Sequence, residues 1–160
     1  MFCKNSEHWL YKLNEDYPWS SGMSFPRTMA FLDRADRQWL LIKRNGDIVV
    51  AKDYSWDGCT PKSCIFDIRL GISDGPVHKE TGLPKAYHAS LIHDVLYQFL
   101  SDDLPLTRAQ ADRIFLRLLR ERDFAPRWIY YVAVRIFGEF FRLGAKTMVR
   151  KTSGRRVLLD

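Results

Sequence analysis

Apolar residues recur at steps of three and four from Ala89 through Ile92, Val95, Leu96 and Phe99, the spacing that stacks side chains on one face of an α-helix. A second run with the same period follows the short connection from Ser101 to Leu106, at Ala111, Ile114, Phe115, Leu118 and Leu119. Thr107-Arg-Ala-Gln110 has the form of a capping box and predicts where that second helix starts. A connection this short predicts antiparallel neighbours with their apolar faces turned together. A third helix is predicted from about Pro126 to Leu143, with proline where a helix can start and Gly144 where it can stop. Its broad apolar face is Ile129, Val132, Ala133, Ile136, Phe137 and Phe140.

Upstream the pattern changes. Gln38 to Arg44 and Asp47 to Lys52 read as two strands flanking Asn45-Gly46, a dipeptide that predicts a two-residue hairpin turn because both positions tolerate positive φ. Ser24 to Leu32 reads as a further strand that Pro26 restricts to an edge or an early position. Residues 1–21 alternate aromatic and polar side chains without a period and read as irregular. The stretch DYSWDGCTPK, from Asp53 to Lys62, reads as a loop in which Gly58 permits unusual backbone angles and Pro61 ends pairing. Gly71 to Lys85 reads as a long connection, and residues 145–160 as a basic, disordered tail. The expected fold is α+β: a β-hairpin or small antiparallel sheet, then a three-helix layer containing an antiparallel helix pair.

At 160 residues and 46% hydrophobic content, the chain has the size of one domain with one substantial core, spanning 1–160. Cys3, Cys59 and Cys64 are too few for a disulfide scaffold and leave at least one thiol unpaired, which points to a reducing compartment, with a Cys59–Cys64 link left open. No basic segment followed by an apolar run opens the chain, so no signal peptide is expected, and no stretch reaches the ~20 apolar residues of a membrane span. Charge is uneven: residues 1–112 carry 13 basic and 15 acidic groups, residues 113–160 carry 12 and 4. That polarity suits nucleic acid, anionic lipid or an acidic partner, but a solvated arginine-rich helix face is the commoner cause and the favoured reading. No zinc-finger spacing or RNP-type signature accompanies it, so no specific nucleic-acid motif is present.

The candidate chemistry lies on the helix pair. His93 and Tyr97 are four apart and point the same way, just off the apolar stripe, with Asp94 about 100° further round. Asp112 lies between Ala111 and Phe115 on the apolar face of the second helix. A carboxylate facing a core needs a partner, since alone it would give up its charge. Across the helix pair, His93 is the natural one. Such a pair either activates water or only ties two helices together, and both readings stand. His78 and His88 lack the i, i+4 spacing to His93 that a zinc site on one helix needs, and read as surface or hydrogen-bonding residues.

The order His93-Asp94-x-x-Tyr97, followed by a core-facing aspartate on the next helix, resembles the catalytic helix pair of the secretory phospholipases of the A-two class. Their pattern is His-Asp-x-Cys-Tyr. Leu96 stands where they have cysteine, and Asp112 where their second helix directs an aspartate at the histidine. The resemblance implies a calcium-dependent acyl-ester hydrolase in which His93 is the general base, Asp112 and Tyr97 orient it, and Asp94 helps hold Ca2+. It also implies a metal-binding loop at Trp56, Asp57 and Gly58, with Gly58 its one glycine and Asp57 offering a side-chain oxygen. The substrate would be an anionic lipid or another ester.

From Trp39 to Gly138 the chain is also similar to a family of phage and prophage proteins of unknown function. The hallmarks are the hairpin leading into WDGCTPK (Trp56 to Lys62), SLIHDVLY (Ser90 to Tyr97), TRAQAD (Thr107 to Asp112) and YYVAVRIFG (Tyr130 to Gly138). This resemblance implies residence in the cytoplasm of a bacterial host or in a virion, a phage or host protein as partner, and no particular activity. The alternative to a hydrolase is thus a non-enzymatic virion component, or a host-directed binding or inhibitor module, whose His-Asp-Tyr-Asp cluster is structural. A helical phosphohydrolase with a metal-bound His-Asp pair is a third reading, against which the hairpin stands.

Overall fold

The structure is a computed structural model; it describes residues 11–56, 58, 75–144 and 154–159, with side chains as far as 136 in the last helix. The architecture is α+β. Strands β1 (Tyr11–Lys12), β2 (Tyr17–Ser20), β3 (Met29–Leu32), β4 (Gln38–Ile42), β5 (Asp47–Val50) and β6 (Ser55–Trp56) precede helices α1 (Tyr87–Gln98), α2 (Arg108–Glu121) and α3 (Arg127–Gly144), and β7 (Arg155–Leu158) follows them. β2-β5-β4-β3-β7 form a five-stranded antiparallel sheet, and β1 pairs with β6.

The β4–β5 hairpin stands where the pattern predicts it, but its turn is longer. Lys43 N–H donates to the Asp47 carbonyl at 2.8 Å and Gly46 N–H to the Lys43 carbonyl at 2.9 Å. Of Asn45 and Gly46 only the glycine has positive φ, +94°. The loop is therefore Arg44-Asn45-Gly46, a turn followed by one left-handed residue. Asn45 instead uses its side chain, whose Oδ1 accepts from Asp47 N–H at 3.1 Å. A side chain at Gly46 would collide with the Met23 carbonyl.

Three segments read as irregular or disordered contain strands. Within 1–21, β2 pairs with β5 from Tyr17↔Val50 to Ser20↔Asp47, and β1 pairs with β6 inside the expected loop. β7 pairs with β3, so the basic tail is ordered at 154–159. Its entry is pinned by Gly154 N–H donating to Asp102 Oδ2 at 3.1 Å. A side chain at Gly154 would strike the Leu32 carbonyl. Strands this short lack a period long enough to detect; their order comes from a neighbour's free edge, which satisfies their backbone groups.

The core lies between the sheets and the α1–α2 pair. Ala89, Ile92, Val95, Leu96 and Phe99 are fully buried, as are Ala111 and Leu119. Phe99 packs on Phe31 of β3 at 5.6 Å, and Trp56 of β6 on Tyr87 at 4.8 Å. Thr107 and Gln110 make the reciprocal capping box that opens α2. The third helix stands where it is predicted and lies beside α2, with Tyr130 and Val134 packed on the core, while Ile129, Val132 and Ile136 of its apolar face are 69%, 50% and 57% exposed. The side chains of Phe137 and Phe140 lie outside the described residues. No helix among the described residues is long and apolar enough to cross a membrane.

Candidate functional site

Helices α1 and α2 bring His93 and Asp112 together. Asp112 is fully buried and His93 is 8% exposed. His93 Nε2 lies 3.0 Å from Asp112 Oδ1. Burial pushes the Asp112 carboxyl up, but bonds from His93, Tyr97 and Arg135 outweigh it and hold the group below the usual carboxylate range. An ionised carboxylate only accepts, so Nε2 carries the proton and donates it. In the neutral ring Nδ1 is then the unprotonated nitrogen, facing Asp94 with 3.9 Å to its Oδ1. Phe115 stands 4.9 Å from the imidazole, ring to ring.

Tyr97 lies in the same cluster and touches both members of the pair. Its ring packs on His93 at 4.1 Å between centroids, and its hydroxyl donates to Asp112 Oδ1 rather than to the imidazole. Burial and the Asp112 carboxylate raise the Tyr97 hydroxyl far above its usual value, so it remains a donor. It positions Asp112, and through Asp112 the histidine.

Two arginines that the pattern analysis left out complete the cluster. Arg135 of α3 donates to Asp112 Oδ2 at 2.9 Å. Arg108 Nε donates to the Tyr97 hydroxyl at 3.0 Å, and its NH2 reaches the Val134 and Arg135 carbonyls at 3.1 and 2.6 Å. Asp112 therefore has cationic partners besides His93, contrary to the expectation from the motif alone. Arg108 was legible as the residue four before Asp112 on one helix face. Arg135 had one signal, a cation inside the apolar run of α3. Among the described residues, every buried side-chain nitrogen and oxygen has a partner.

For His93, burial favours the neutral ring, but the Asp112 bond and the Asp94 carboxylate prevail and raise it above 6.5. His88, expected at the surface or as a hydrogen-bonding residue, is half-buried and stacks on Tyr17 at 4.4 Å.

The proposed metal donors are less assembled. Asp94 has a side chain 37% exposed. Trp56 is buried in β6, its indole N–H donating to Ser90 Oγ at 3.1 Å. Gly58 is buried with φ +69°. Asp57, Cys59 and Cys64 lie outside the described residues. Among the described residues no group of three or more His, Cys, Asp or Glu is placed to hold a metal. One carboxylate falls short of the ~6 to 8 oxygens that calcium takes, so the described donors do not by themselves form a calcium shell.

Comparison with curated proteins gives no match, and comparison with solved structures gives none. Residues 81–134, which span α1, α2 and the first turns of α3 and hold His93, Asp94, Tyr97, Arg108 and Asp112, match the model of a family described as "Protein of unknown function (DUF1353)"; the β4–β5 hairpin and the Trp56 to Lys62 loop fall outside the matched segment.

Proposed function

We propose that the cluster is the working part of an acyl-ester hydrolase, similar in layout to the phospholipase helix pair and acting on an anionic lipid or another ester. The observation that carries the reading is the polarity of His93: Nε2 is held by buried Asp112, and Nδ1 is turned to half-exposed Asp94. In the reaction, a water oxygen attacks the acyl carbon while its proton passes to Nδ1. The imidazolium then returns a proton to the departing alkoxide as the ester bond breaks. Asp112 fixes the tautomer and stabilises the imidazolium, the part a buried carboxylate plays beside a histidine base. Calcium belongs to this proposal as a cofactor, with Asp94 and Asp57 as side-chain donors; bound, it would polarise the carbonyl.

Only the neutral imidazole can take the proton. Because His93 is raised above 6.5, hydrolysis should climb with pH through that higher value. The decisive variant is His93→Gln, assayed on short-chain nitrophenyl esters and phosphatidylglycerol with and without calcium. It should lose ~10² to 10⁴-fold in rate, the usual effect of removing a general base. Full activity in the variant, or a wild type inert on every substrate, would overturn the reading.

The second reading, a phage virion component or host-directed module in a bacterial cytoplasm or virion, rests on a different observation. Asp112 collects donors from α1 and α3 while Arg108 of α2 ties Tyr97 to the α3 backbone, so the cluster braces three helices. Under it, His93→Gln costs ~1 to 3 kcal/mol of stability by leaving buried Asp112 poorly paired, with no activity to lose.

A further inference from the structure

We propose that the cleft between the outer face of α2 and the first turn of α3 is a binding site for a phosphate group. α2 places Arg113, Arg117 and Arg120 on one face, at the four- and three-residue steps that make helix neighbours. Arg127 and Trp128 of α3 form the opposite wall, and with Leu116 these residues line a cleft of about 170 Å³. That is several times the ~30 Å³ share of one water in the liquid.

Among the described residues the charges in this cleft are incompletely satisfied. Arg117 donates to Glu121 Oε1 at 2.9 Å and to the Ser21 carbonyl at 2.6 Å, so its charge is largely met. Among the described residues Arg127 reaches the Phe124 carbonyl alone, at 3.4 Å. Arg113 and Arg120 make no side-chain hydrogen bond or ion pair with any described residue. A solvated helix face would account for arginines along α2, but not for a second helix closing a concavity over them with a further arginine and a tryptophan. Every cation in the lining is arginine, whose planar fork matches phosphate oxygens two at a time. A dianion there would relieve the mutual repulsion of the guanidinium groups.

The phosphate has two possible sources, a lipid headgroup or a free phosphorylated solute. The neighbouring surface tells them apart. Trp128, Ile129, Val132 and Ile136 form an exposed stripe beside the cleft. A headgroup would bring acyl chains against that stripe, whereas a free phosphate would leave it unused.

The test uses the intact chain and is independent of His93. Inorganic phosphate is titrated by calorimetry, and vesicles of phosphatidylglycerol in phosphatidylcholine are compared with pure phosphatidylcholine by co-sedimentation. The wild type should bind at least one probe, with phosphate at a dissociation constant on the order of 1 mM or tighter. Replacing both Arg113→Gln and Arg120→Gln should weaken that binding by about tenfold or more. These side chains are exposed, and an unchanged thermal melt shows that the fold is kept. Vesicle binding that needs phosphatidylglycerol and falls in Ile129→Ser, with phosphate binding unmoved, assigns a headgroup; phosphate binding without vesicle binding assigns a free solute. No binding of either probe, or equal binding by the double variant, overturns the site.

Discussion

His88 and His93 occupy the same helix, and their surroundings set opposite protonation preferences. Burial acts on both in the same direction, against the charged ring. At His88 nothing opposes it: the ring stacks on Tyr17, and the charge of Arg122 adds to the effect, lowering the imidazole to about 4. At His93, burial is outweighed by the Asp112 hydrogen bond and the Asp94 carboxylate, and the ring is raised. A histidine's state on this helix is thus decided by whether a carboxylate stands within reach.

The largest predicted effect removes that carboxylate. Asp112→Ala strips His93, Tyr97 and Arg135 of their common acceptor, and should destabilise the protein by ~3 to 5 kcal/mol, as for other broken buried ion pairs. In the folded variant His93 should titrate below 6.5, like His88. Urea melts and histidine ring resonances followed by NMR measure the two parts. A His93 titration that stays raised would mean that Asp94, not Asp112, controls it.

The pH dependence of stability sharpens the same contrast. The folded state of His93 binds its proton more tightly than the unfolded chain, so its contribution is fully present below ~6.5 and is lost as pH rises through the raised value. His88 has the opposite sign. Its folded value is about 4, so the unfolded chain binds more protons between there and ~6.5, and stability falls on acidification across that window. His88→Phe keeps a ring to stack on Tyr17 and should flatten the acid limb while leaving the limb that His93 sets in place. Chemical denaturation at a series of pH values would show it, and an acid limb unchanged in this variant would exclude His88 as its source.

The smallest effect concerns the third helix. Arg135→Gln removes one donor from Asp112 Oδ2, but the guanidinium is 41% exposed. Solvent screening therefore brings the loss to about 1 kcal/mol, below the usual range for charge-assisted bonds. A cost near that of Asp112→Ala would make Arg135, rather than His93, the main counter-charge.

Much of the helical half was legible because its signals are local. The stripes of α1 and α2 and the capping box at Thr107 each depend on residues within two turns, and they place His93 and Asp112 on facing surfaces. The sequence places Tyr97 beside His93 but leaves its acceptor open, since the i, i+4 spacing says which residues are neighbours and not which acceptor a hydroxyl selects. The turn at Gly46 is one residue longer than predicted, with the Asn45 side chain, rather than the Arg44 carbonyl, accepting from Asp47 N–H.

By itself the sequence determined the α+β class, the starts of α2 and α3, and the need for a partner at Asp112, since a buried charge must be paired whatever surrounds it. Only the tertiary structure decided that β2 and β7 join the sheet, because a strand of four residues gains its order from the edge it pairs with. It also decided that Arg135 reaches Asp112 across 23 residues, and that Ile129, Val132 and Ile136 of α3 face outward. Periodicity groups side chains onto a face, but which face another element covers depends on contacts between residues far apart in the chain, and those are formed only on folding.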